Sequence, residues 1–132
     1  GLAYLEKIDV YNKKKRAIAE VYTKYLKNIS GITVPIEKSW ARSSYWMYGI
    51  VLDTNTISKE HFMRKLSHHG IETRDFFIPM HKQPALLEQR LFHNEHYPIA
   101  DIISKQGLYL PSGPNIQKKD IEYICQELQK AL

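Results

Sequence analysis

Apolar residues recur every three or four positions over the first 28 residues, which is the period that places side chains on one face of an α-helix. The stripe consists of Leu2, Leu5, Ile8, Ile18, Val21, Tyr22, Tyr25 and Leu26. Asn28, Ser30 and Gly31 follow, and residues of these types commonly end helices. The pattern predicts one long amphipathic helix from residue 2 to about residue 28, with the basic run at 13–16 as its solvated face.

Four later stretches have the composition of β-strands. Residues 32–36 are β-prone and contain Pro35, which favours an edge strand or a strand end. Residues 45–52 are aromatic and β-branched, with apolar side chains at both alternating sets of positions. This pattern predicts a central strand that is covered on both faces. Further strands are predicted at residues 71–78 and 108–110.

Helical patterns separate and follow these strands. Ser58 is suited to cap the N-terminus of a helix that runs to residue 69, with Gly70 just past its end. Shorter helical segments are predicted at residues 83–91 and 98–105. A last helix, at residues 118–132, has the apolar stripe Ile121, Ile124, Cys125, Leu128 and Ala131. The order of elements predicts an α+β domain, in which helices pack on a small, mainly antiparallel sheet.

Composition and charge indicate one soluble globular domain. The chain has 132 residues, of which 43% are hydrophobic and 25% charged, and no apolar run approaches the roughly 20 residues of a membrane-spanning helix. A single cysteine, Cys125, forms no internal disulfide and favours a reducing compartment, the cytoplasm. The net charge of +5 is spread along the chain, which favours a solvated surface over nucleic-acid binding.

The start of the chain suggests a recombinant product, a processed product or a piece cut from a longer polypeptide. It begins with Gly1 instead of Met and has no charged and apolar secretory leader. The long first helix is therefore expected to lead in from another domain.

Polar and aromatic side chains concentrate in the segment GIETRDFFIPMHKQPAL at residues 70–86. His81 follows a strand and a proline, and an imidazole can form hydrogen bonds or carry protons near neutral pH, although a loop histidine is more often structural. Gln83 is suited to bind a sugar hydroxyl or to begin the next helix. Arg74 is suited to clamp a carboxylate or phosphate, or to pair with an acidic neighbour.

Motifs of self-contained catalysis are missing from the sequence. It has no Gly-rich phosphate loop, no G-x-S-x-G elbow and no nucleophile paired with an oriented base. His93 and His96 have a spacing that resembles metal ligands, but the only cysteine is distant, and no metal site is predicted. The residues alone predict a ligand-facing loop in a small domain.

Taken in order, the segments resemble the C-terminal domain of sugar-nucleotide aminotransferases of the DegT/DnrJ/StrS type. The resemblance rests on AYLEKID, RAIAEVYTKYL, ITVP, SSYWMYGIVL, GIETR, PMHKQP, YPIAD and GLYLPSG. Within the family, YWMYGIVL, FFIPMHKQP and YLPSG are most similar to the perosamine synthetase branch. The resemblance implies the small domain of the aspartate-aminotransferase fold, pyridoxal 5'-phosphate as cofactor, and transfer of an amino group from glutamate to a nucleotide-linked 4-keto-6-deoxyhexose.

The resemblance also implies that the cofactor is bound by a different domain from this one. Residues 1–132 would be the small domain, with residues 1–28 as the entering helix, and the cofactor-binding domain with its Schiff-base lysine would lie outside this chain. The chain alone is then expected to be inactive and to contain no catalytic or cofactor-binding residue. A cytoplasmic homodimer is expected, in which the PMHKQP loop lines the sugar side of the active site. No nucleic-acid or membrane partner is expected.

The substrate-binding residues that the resemblance implies are His81 first, then Gln83, Met80 and Phe77. Weaker candidates are Tyr45, Trp46 and Tyr48, for which core packing is the better single explanation. Two alternatives remain open. The chain could be a stand-alone, non-catalytic module that binds a nucleotide or a sugar, or the same domain of a sugar 3-dehydrase. As part of a longer enzyme, the domain is expected to leave an apolar surface uncovered where the larger domain docks.

Overall fold

The computed structural model describes residues 2–53, 55, 57–92 and 94–132. Its strands form one antiparallel sheet in the order β1-β2-β4-β3. They are β1 (Ile32–Thr33), β2 (Tyr48–Leu52), β3 (Arg74–Asp75) and β4 (Gly107–Leu110). The helices are α1 (Leu2–Leu5), α2 (Ile8–Leu26), α3 (Lys59–His68), α4 (Pro84–Glu88), α5 (Pro98–Gln106) and α6 (Lys118–Ala131). The predicted α+β class, with helices on a small antiparallel sheet, is confirmed.

The core lies between one face of the sheet and the helices α2, α3 and α6. Alternate residues of β2, namely Tyr48, Ile50 and Leu52, point into it and are buried. Tyr22 of α2 stacks on Tyr48 with ring centroids 4.8 Å apart. The stripe predicted for the last helix is buried at every position. Burial of these side chains supplies the main driving force that holds the helices on the sheet.

Cys125 is the buried thiol of that stripe, and burial raises its pKa to about 12. Because the thiolate is the reactive form, we expect the folded chain to resist iodoacetamide at pH 8, with labelling at least about 100-fold slower than in denaturant. Mass spectrometry of labelled samples measures both rates. Comparable rates in the two conditions would contradict the buried position of this thiol.

The predicted first helix is interrupted, so its continuity from residue 2 to 28 was predicted wrongly. A turn at residues 6–7 separates α1 from α2, which ends at Leu26. The break falls where burial is low, because Leu2, Leu5 and Val10, ahead of Ile18, are exposed. Without tertiary packing, a helix end depends on propensity alone. Gly1 lies outside the described residues.

The basic run at 13–16 is only partly a solvated face. Lys13 and Lys14 are exposed, as predicted. Lys15 instead donates to the backbone carbonyl of Ser112 at 2.5 Å, and Arg16 forms an ion pair with Glu37 at 2.7 Å. These two long side chains reach from α2 to distant loops, which a helical pattern alone does not reveal.

Three of the strands, β1, β2 and β3, are shorter than the sequence predicted. The strand predicted at 45–52 begins at Tyr48, and its central position is confirmed because β2 pairs with both β1 and β4. The strand predicted at 71–78 is reduced to β3, which pairs only with β4. One residue beyond β3, the Phe76 backbone N–H still donates to the Gly107 carbonyl at 3.4 Å, and the Phe76 ring turns over the sheet. The ring lies where Gly49 and Gly107 leave space, and it stacks on Tyr109 with centroids 4.3 Å apart.

The other predicted elements are present. Ser58 caps α3 by accepting a hydrogen bond from the backbone of His61 at 3.2 Å, and Gly70 follows α3 at φ +72°. Helix α5 contacts β2 and β4 but contains no buried residue. Among the described helices, none combines the length and apolarity needed to cross a membrane.

Candidate functional site

His81 lines one of the clefts that border the loop of residues 76–83. It lies in a single 3-10 turn, Met80–Lys82, and its side chain is 10% exposed. The cleft measures about 700 Å³, and α4, α5 and the segment between them supply its other walls. We call it the histidine cleft. Its lining includes His81, Lys82, Arg90, Glu95, His96 and Asp101.

Asp101 holds both polar residues of the turn. His81 Nε2 is 2.8 Å from Asp101 Oδ1, and Lys82 Nζ is 2.7 Å from the same oxygen. Lys82 first, and His81 after it, hold the pKa of Asp101 below its ordinary value. The carboxylate can only accept, so His81 donates through Nε2 and its Nδ1 is the atom left to meet a ligand. Tyr97 packs against the imidazole with ring centroids 4.9 Å apart, which fixes the ring plane.

Arg90 also lines the histidine cleft, together with the acidic Glu95. It forms no ion pair with any residue that the structure describes. Its backbone is left-handed at φ +58°, as are those of Phe92 and Asn94. Left-handed non-glycine residues carry backbone strain, which is common where loops present functional groups. A free guanidinium beside an oriented imidazole is suited to an anionic, hydroxyl-rich ligand.

Gln83 and Phe77 tie the loop in place. The Gln83 side-chain amide donates to the backbone carbonyl of Ile78 at 2.9 Å, and Ser104 of α5 donates to the carbonyl of Phe77 at 3.1 Å. Met80 between them is exposed. The side-chain N–H of Gln83 therefore donates within the loop itself, and this hydrogen bond helps to stabilise the shape of the turn.

The second cleft lies on the outer face of the sheet and measures about 490 Å³. Its walls include Lys15, Trp46, Arg74, Phe77, Tyr109 and Ser112. The Trp46 and Phe77 rings are nearly parallel, with centroids 6.4 Å apart, and both are about two-thirds exposed, at 67% and 66%. We call it the aromatic cleft. Arg74, a candidate clamp from the sequence, pairs loosely with Glu72 at 3.7 Å and is itself exposed.

The seven predicted contact residues do not share one pocket. His81, Met80 and Gln83 lie on one loop, whereas Phe77 and Trp46 line the aromatic cleft. Tyr48 is fully buried and its hydroxyl is 2.8 Å from that of Thr23, so a direct ligand contact was predicted wrongly and the core-packing explanation holds. Tyr45 is half-buried against the core beneath the Arg16 guanidinium, 5.6 Å from its ring, which also favours packing.

Three charged residues of the clefts were not among the predicted site residues. Asp101 lies within the YPIAD segment, and a carboxylate in the first turn of a helix was the available signal. Arg90 and Lys15 carried no signal, because their positions depend on how the loop and α2 pack. Within the described ranges, no three metal-ligating side chains converge, and His93 of the His93–His96 pair lies outside them.

Arg16 and Glu37 clamp the loop that leads to Trp46. Two guanidinium nitrogens of Arg16 meet the two carboxylate oxygens of Glu37 at 2.7 and 2.8 Å. Arg16 also donates to the Ser43 carbonyl at 2.7 Å, and the Ser43 backbone donates to Glu37 at 2.7 Å. This bidentate arrangement fixes the loop geometrically as well as electrostatically.

The clamp predicts an acid-dependent loss of stability. Arg16 first, and the Ser43 backbone after it, lower the pKa of Glu37 to about 2. A depressed carboxyl pKa contributes stability that is complete above the unfolded pKa of about 4.3 and lost as the pH falls towards 2. We expect Glu37→Gln to lower the melting temperature at pH 7 and to match the native chain near pH 2. Glu6→Gln, at an exposed position, is the control; an unchanged Glu37→Gln melting temperature at pH 7 would argue against the clamp.

Comparison with known proteins matches residues 1–129 to the DegT/DnrJ/EryC1/StrS aminotransferase family. The chain belongs to this family of pyridoxal-phosphate-dependent sugar aminotransferases. It is 32% identical over 130 residues to the GDP-perosamine synthase of Escherichia coli O157:H7, and 32% over 126 residues to that of Vibrio cholerae. These alignments cover 98% and 95% of this chain and 34% of each relative. The chain therefore spans about a third of the relatives that it matches.

Other comparisons agree with this assignment. The chain is 30% identical over 122 residues, 91% of its length and 31% of the relative, to EpsN of Bacillus subtilis (strain 168), whose name describes a pyridoxal phosphate-dependent aminotransferase. Its fold resembles the crystal structure of the aminotransferase TlmJ from Streptoalloteichus hindustanus, with a TM-score of 0.83 at 23% identity, over 99% of this chain and 34% of that one. At this identity, the structural likeness concerns the fold alone.

The residues of the histidine cleft do not fit the family's cofactor by themselves. A Schiff base forms through a free lysine amine, but Lys82 Nζ is paired with Asp101 Oδ1 at 2.7 Å. A phosphate commonly binds the free N–H groups at a helix N-terminus, but α4 and α5 each begin with a proline, which removes one of these donors. Pyridoxal phosphate is therefore not assigned to these side chains.

Proposed function

We propose that this chain is the C-terminal small domain of a perosamine synthetase-like enzyme. The whole enzyme would transfer an amino group from glutamate to the C4 ketone of a nucleotide-linked 4-keto-6-deoxyhexose. Family membership and the similarity to two GDP-perosamine synthases support this reaction. The observation that carries the proposal is the His81–Asp101–Lys82 arrangement, which presents an oriented imidazole at the wall of a cleft large enough for a sugar.

The chain's own residues would bind and orient the substrate. Asp101 fixes the tautomer and the plane of His81, so that Nδ1 can accept from a sugar hydroxyl or, when protonated, donate to a phosphate oxygen. Arg90 supplies an unpaired cation on the same cleft for the diphosphate. Met80 supplies an exposed apolar wall beside the turn. Because a sugar carries many hydroxyls, the single well-oriented imidazole of His81 would contribute mainly by fixing the position of the substrate's ketone.

The cofactor would be held outside these 132 residues, together with the lysine that forms its Schiff base. When bound, pyridoxal phosphate supplies the electron sink for amino transfer, and the protein supplies position and electrostatics. The chain alone would then be inactive. The enzyme would be a cytoplasmic homodimer, with the loop of residues 76–83 lining the sugar side of an active site.

Large exposed apolar side chains support a domain that docks on another protein surface. Trp40 is 84% exposed, and Ile36 and Ile99 are also largely uncovered. Soluble monomers rarely leave so many large apolar groups in water. A domain that closes a pocket against a larger one would cover part of this surface.

The test is the intact mass of the natural product in its own cells, together with its absorbance spectrum. We expect a polypeptide about three times as long, with a pyridoxal-phosphate band that borohydride traps covalently. A long polypeptide whose cofactor is not covalently held would point to a 3-dehydrase instead. A product of 15.5 kDa without cofactor would overturn the proposal and favour a stand-alone binding module.

A further inference from the structure

The start of α5 holds the His81 imidazole from two sides. Asp101 accepts a hydrogen bond from Nε2 at 2.8 Å, and the Tyr97 ring lies against the imidazole with its plane tilted by 45°. Tyr97 and Asp101 are four residues apart, and the Asp101 backbone N–H donates to the Tyr97 carbonyl at 3.0 Å. Because side chains with this spacing are neighbours on a helix surface, a single turn of the chain carries both contacts.

The two contacts restrain the imidazole in different ways. The hydrogen bond to Asp101 fixes one atom of the ring, but the ring can still rotate about the line that joins Cβ of His81 to Nε2. An aromatic ring packed against the imidazole opposes this rotation, because tilted aromatic pairs have preferred geometries. The direction of Nδ1, the nitrogen left for a ligand, therefore depends on Tyr97 as well as on Asp101.

Tyr97 is itself anchored at both ends. Its hydroxyl donates to the Glu95 carboxylate, and this hydrogen bond is the main reason that the pKa of Tyr97 is raised above its ordinary value. Its backbone precedes Pro98, which disfavours the helical conformation, and lies at φ −127° and ψ 73°. Glu95 forms no ion pair within the described residues, so its carboxylate is left to hold this tyrosine.

A role in the core does not explain this arrangement. Tyr97 is 42% exposed, and α5, which follows it, contains no buried residue. Tyr25 forms a similar pair elsewhere, because it is 36% exposed and its hydroxyl donates to Glu122 at 2.8 Å. Of these two tyrosines, Tyr97 is the one whose ring meets a histidine.

We propose that Tyr97, held by Glu95, is a positioning residue for the reaction, which sets the direction in which His81 presents Nδ1 to the histidine cleft. The inference rests on the proposed function for the identity of the ligand, because the contact between His81 and the ketosugar belongs to that proposal. The orientation of the imidazole is a property of the 132-residue chain. It can be measured without substrate, cofactor or turnover.

The first experiment records the histidine ring resonances of the 132-residue chain by NMR, with His81→Asn to identify those of His81. A neighbouring aromatic ring displaces such resonances, so we expect Tyr97→Leu to move them and Tyr97→Phe to leave them close to their native positions. Tyr25→Leu is the matched control and should leave them unchanged. Circular dichroism checks that each variant is folded. Identical His81 resonances in Tyr97→Leu and the native chain would overturn the inference.

The second experiment measures the KM for the ketosugar in the natural full-length enzyme. Tyr97→Leu is expected to raise this KM about three- to tenfold, the range of a lost aromatic contact, whereas Tyr97→Phe should stay within about twofold of the native value. Glu95→Ala removes the acceptor of the tyrosine hydroxyl and should have a smaller effect than Tyr97→Leu. A merely structural role of Tyr97 would not give this rescue by phenylalanine.

A double variant separates positioning from an independent contact. In a His81→Asn background, Tyr97→Leu should raise the KM no further, because no imidazole is left to orient. A full additional rise in that background would overturn the inference, as would a native KM for Tyr97→Leu when His81→Asn alone raises it. If His81→Asn itself left the KM unchanged, the proposed ketosugar contact would fail, and the NMR comparison would still decide whether Tyr97 orients the imidazole.

Discussion

Gly107→Ala should destabilise the chain by about 3 kcal/mol, the largest loss expected from a single methyl group. A Cβ at this position would lie 2.5 Å from the Phe76 ring and would also meet the Ile103 carbonyl oxygen. The ring could move, but the carbonyl belongs to the backbone of α5, which packs here against β4. Both distances from the added Cβ are shorter than van der Waals contact, so β4 and α5 would have to move apart.

Gly113→Ala is the matched control, because nothing lies within 4 Å of a Cβ added there. We expect it to change the free energy of unfolding by less than about 0.5 kcal/mol. Urea titrations of the two variants and the native chain give both values. Gly107→Ala should also change the near-ultraviolet circular dichroism that arises from the stacked Phe76 and Tyr109 rings. Equal stability of the two variants would mean that Phe76 does not lie over the sheet.

His81→Asn should have the largest effect on activity. In the proposed enzyme, we expect it to raise the KM for the ketosugar about 10- to 100-fold, which is the range expected when a hydrogen bond to a charged or oriented group is lost. The fold should survive, because Asp101 keeps Lys82 as its partner at 2.7 Å. His61→Asn, in an exposed position on α3, is the control.

Asp101→Asn separates orientation from direct contact. The amide oxygen could still accept a hydrogen bond from His81, but the ion pair with Lys82 would be lost. We therefore expect a smaller rise in the KM for the ketosugar than for His81→Asn. Steady-state assays of the two variants measure both KM values. If His81→Asn and His61→Asn had the same KM for the ketosugar, His81 would not be a substrate contact.

The helices could be predicted from the sequence because local signals and tertiary packing agree there. Ser58 caps α3 and the stripe of α6 is buried, as their patterns indicated. The predicted first helix is interrupted at residues 6–7, where its early apolar residues Leu2, Leu5 and Val10 are exposed. The strand at 71–78 was predicted too long because its apolar composition could not show that regular pairing with β4 is confined to Arg74 and Asp75, with the Phe76 ring placed over two glycines.

The candidate site was predictable only in part. The loop bearing His81 stood out by composition, since it gathers a histidine, aromatic residues and a proline. Its partner Asp101 is 20 residues away in sequence, and Lys15 reaches the aromatic cleft across 97 residues to Ser112. Single-sequence patterns report local periodicity, so contacts of such separation stay hidden. Tyr48 was a candidate ligand contact but lies in the core. The sequence alone does not show whether an aromatic residue of a strand faces the core or a ligand.

The most direct test of the central claim is the reaction itself. The natural full-length protein would be incubated with glutamate, pyridoxal phosphate and a GDP-linked 4-keto-6-deoxymannose, with UDP- and dTDP-linked ketosugars in parallel. Mass spectrometry should reveal a nucleotide sugar in which the ketone has become an amine, formed together with 2-oxoglutarate. If none of these sugars were aminated, the assignment as a sugar-nucleotide aminotransferase would be contradicted.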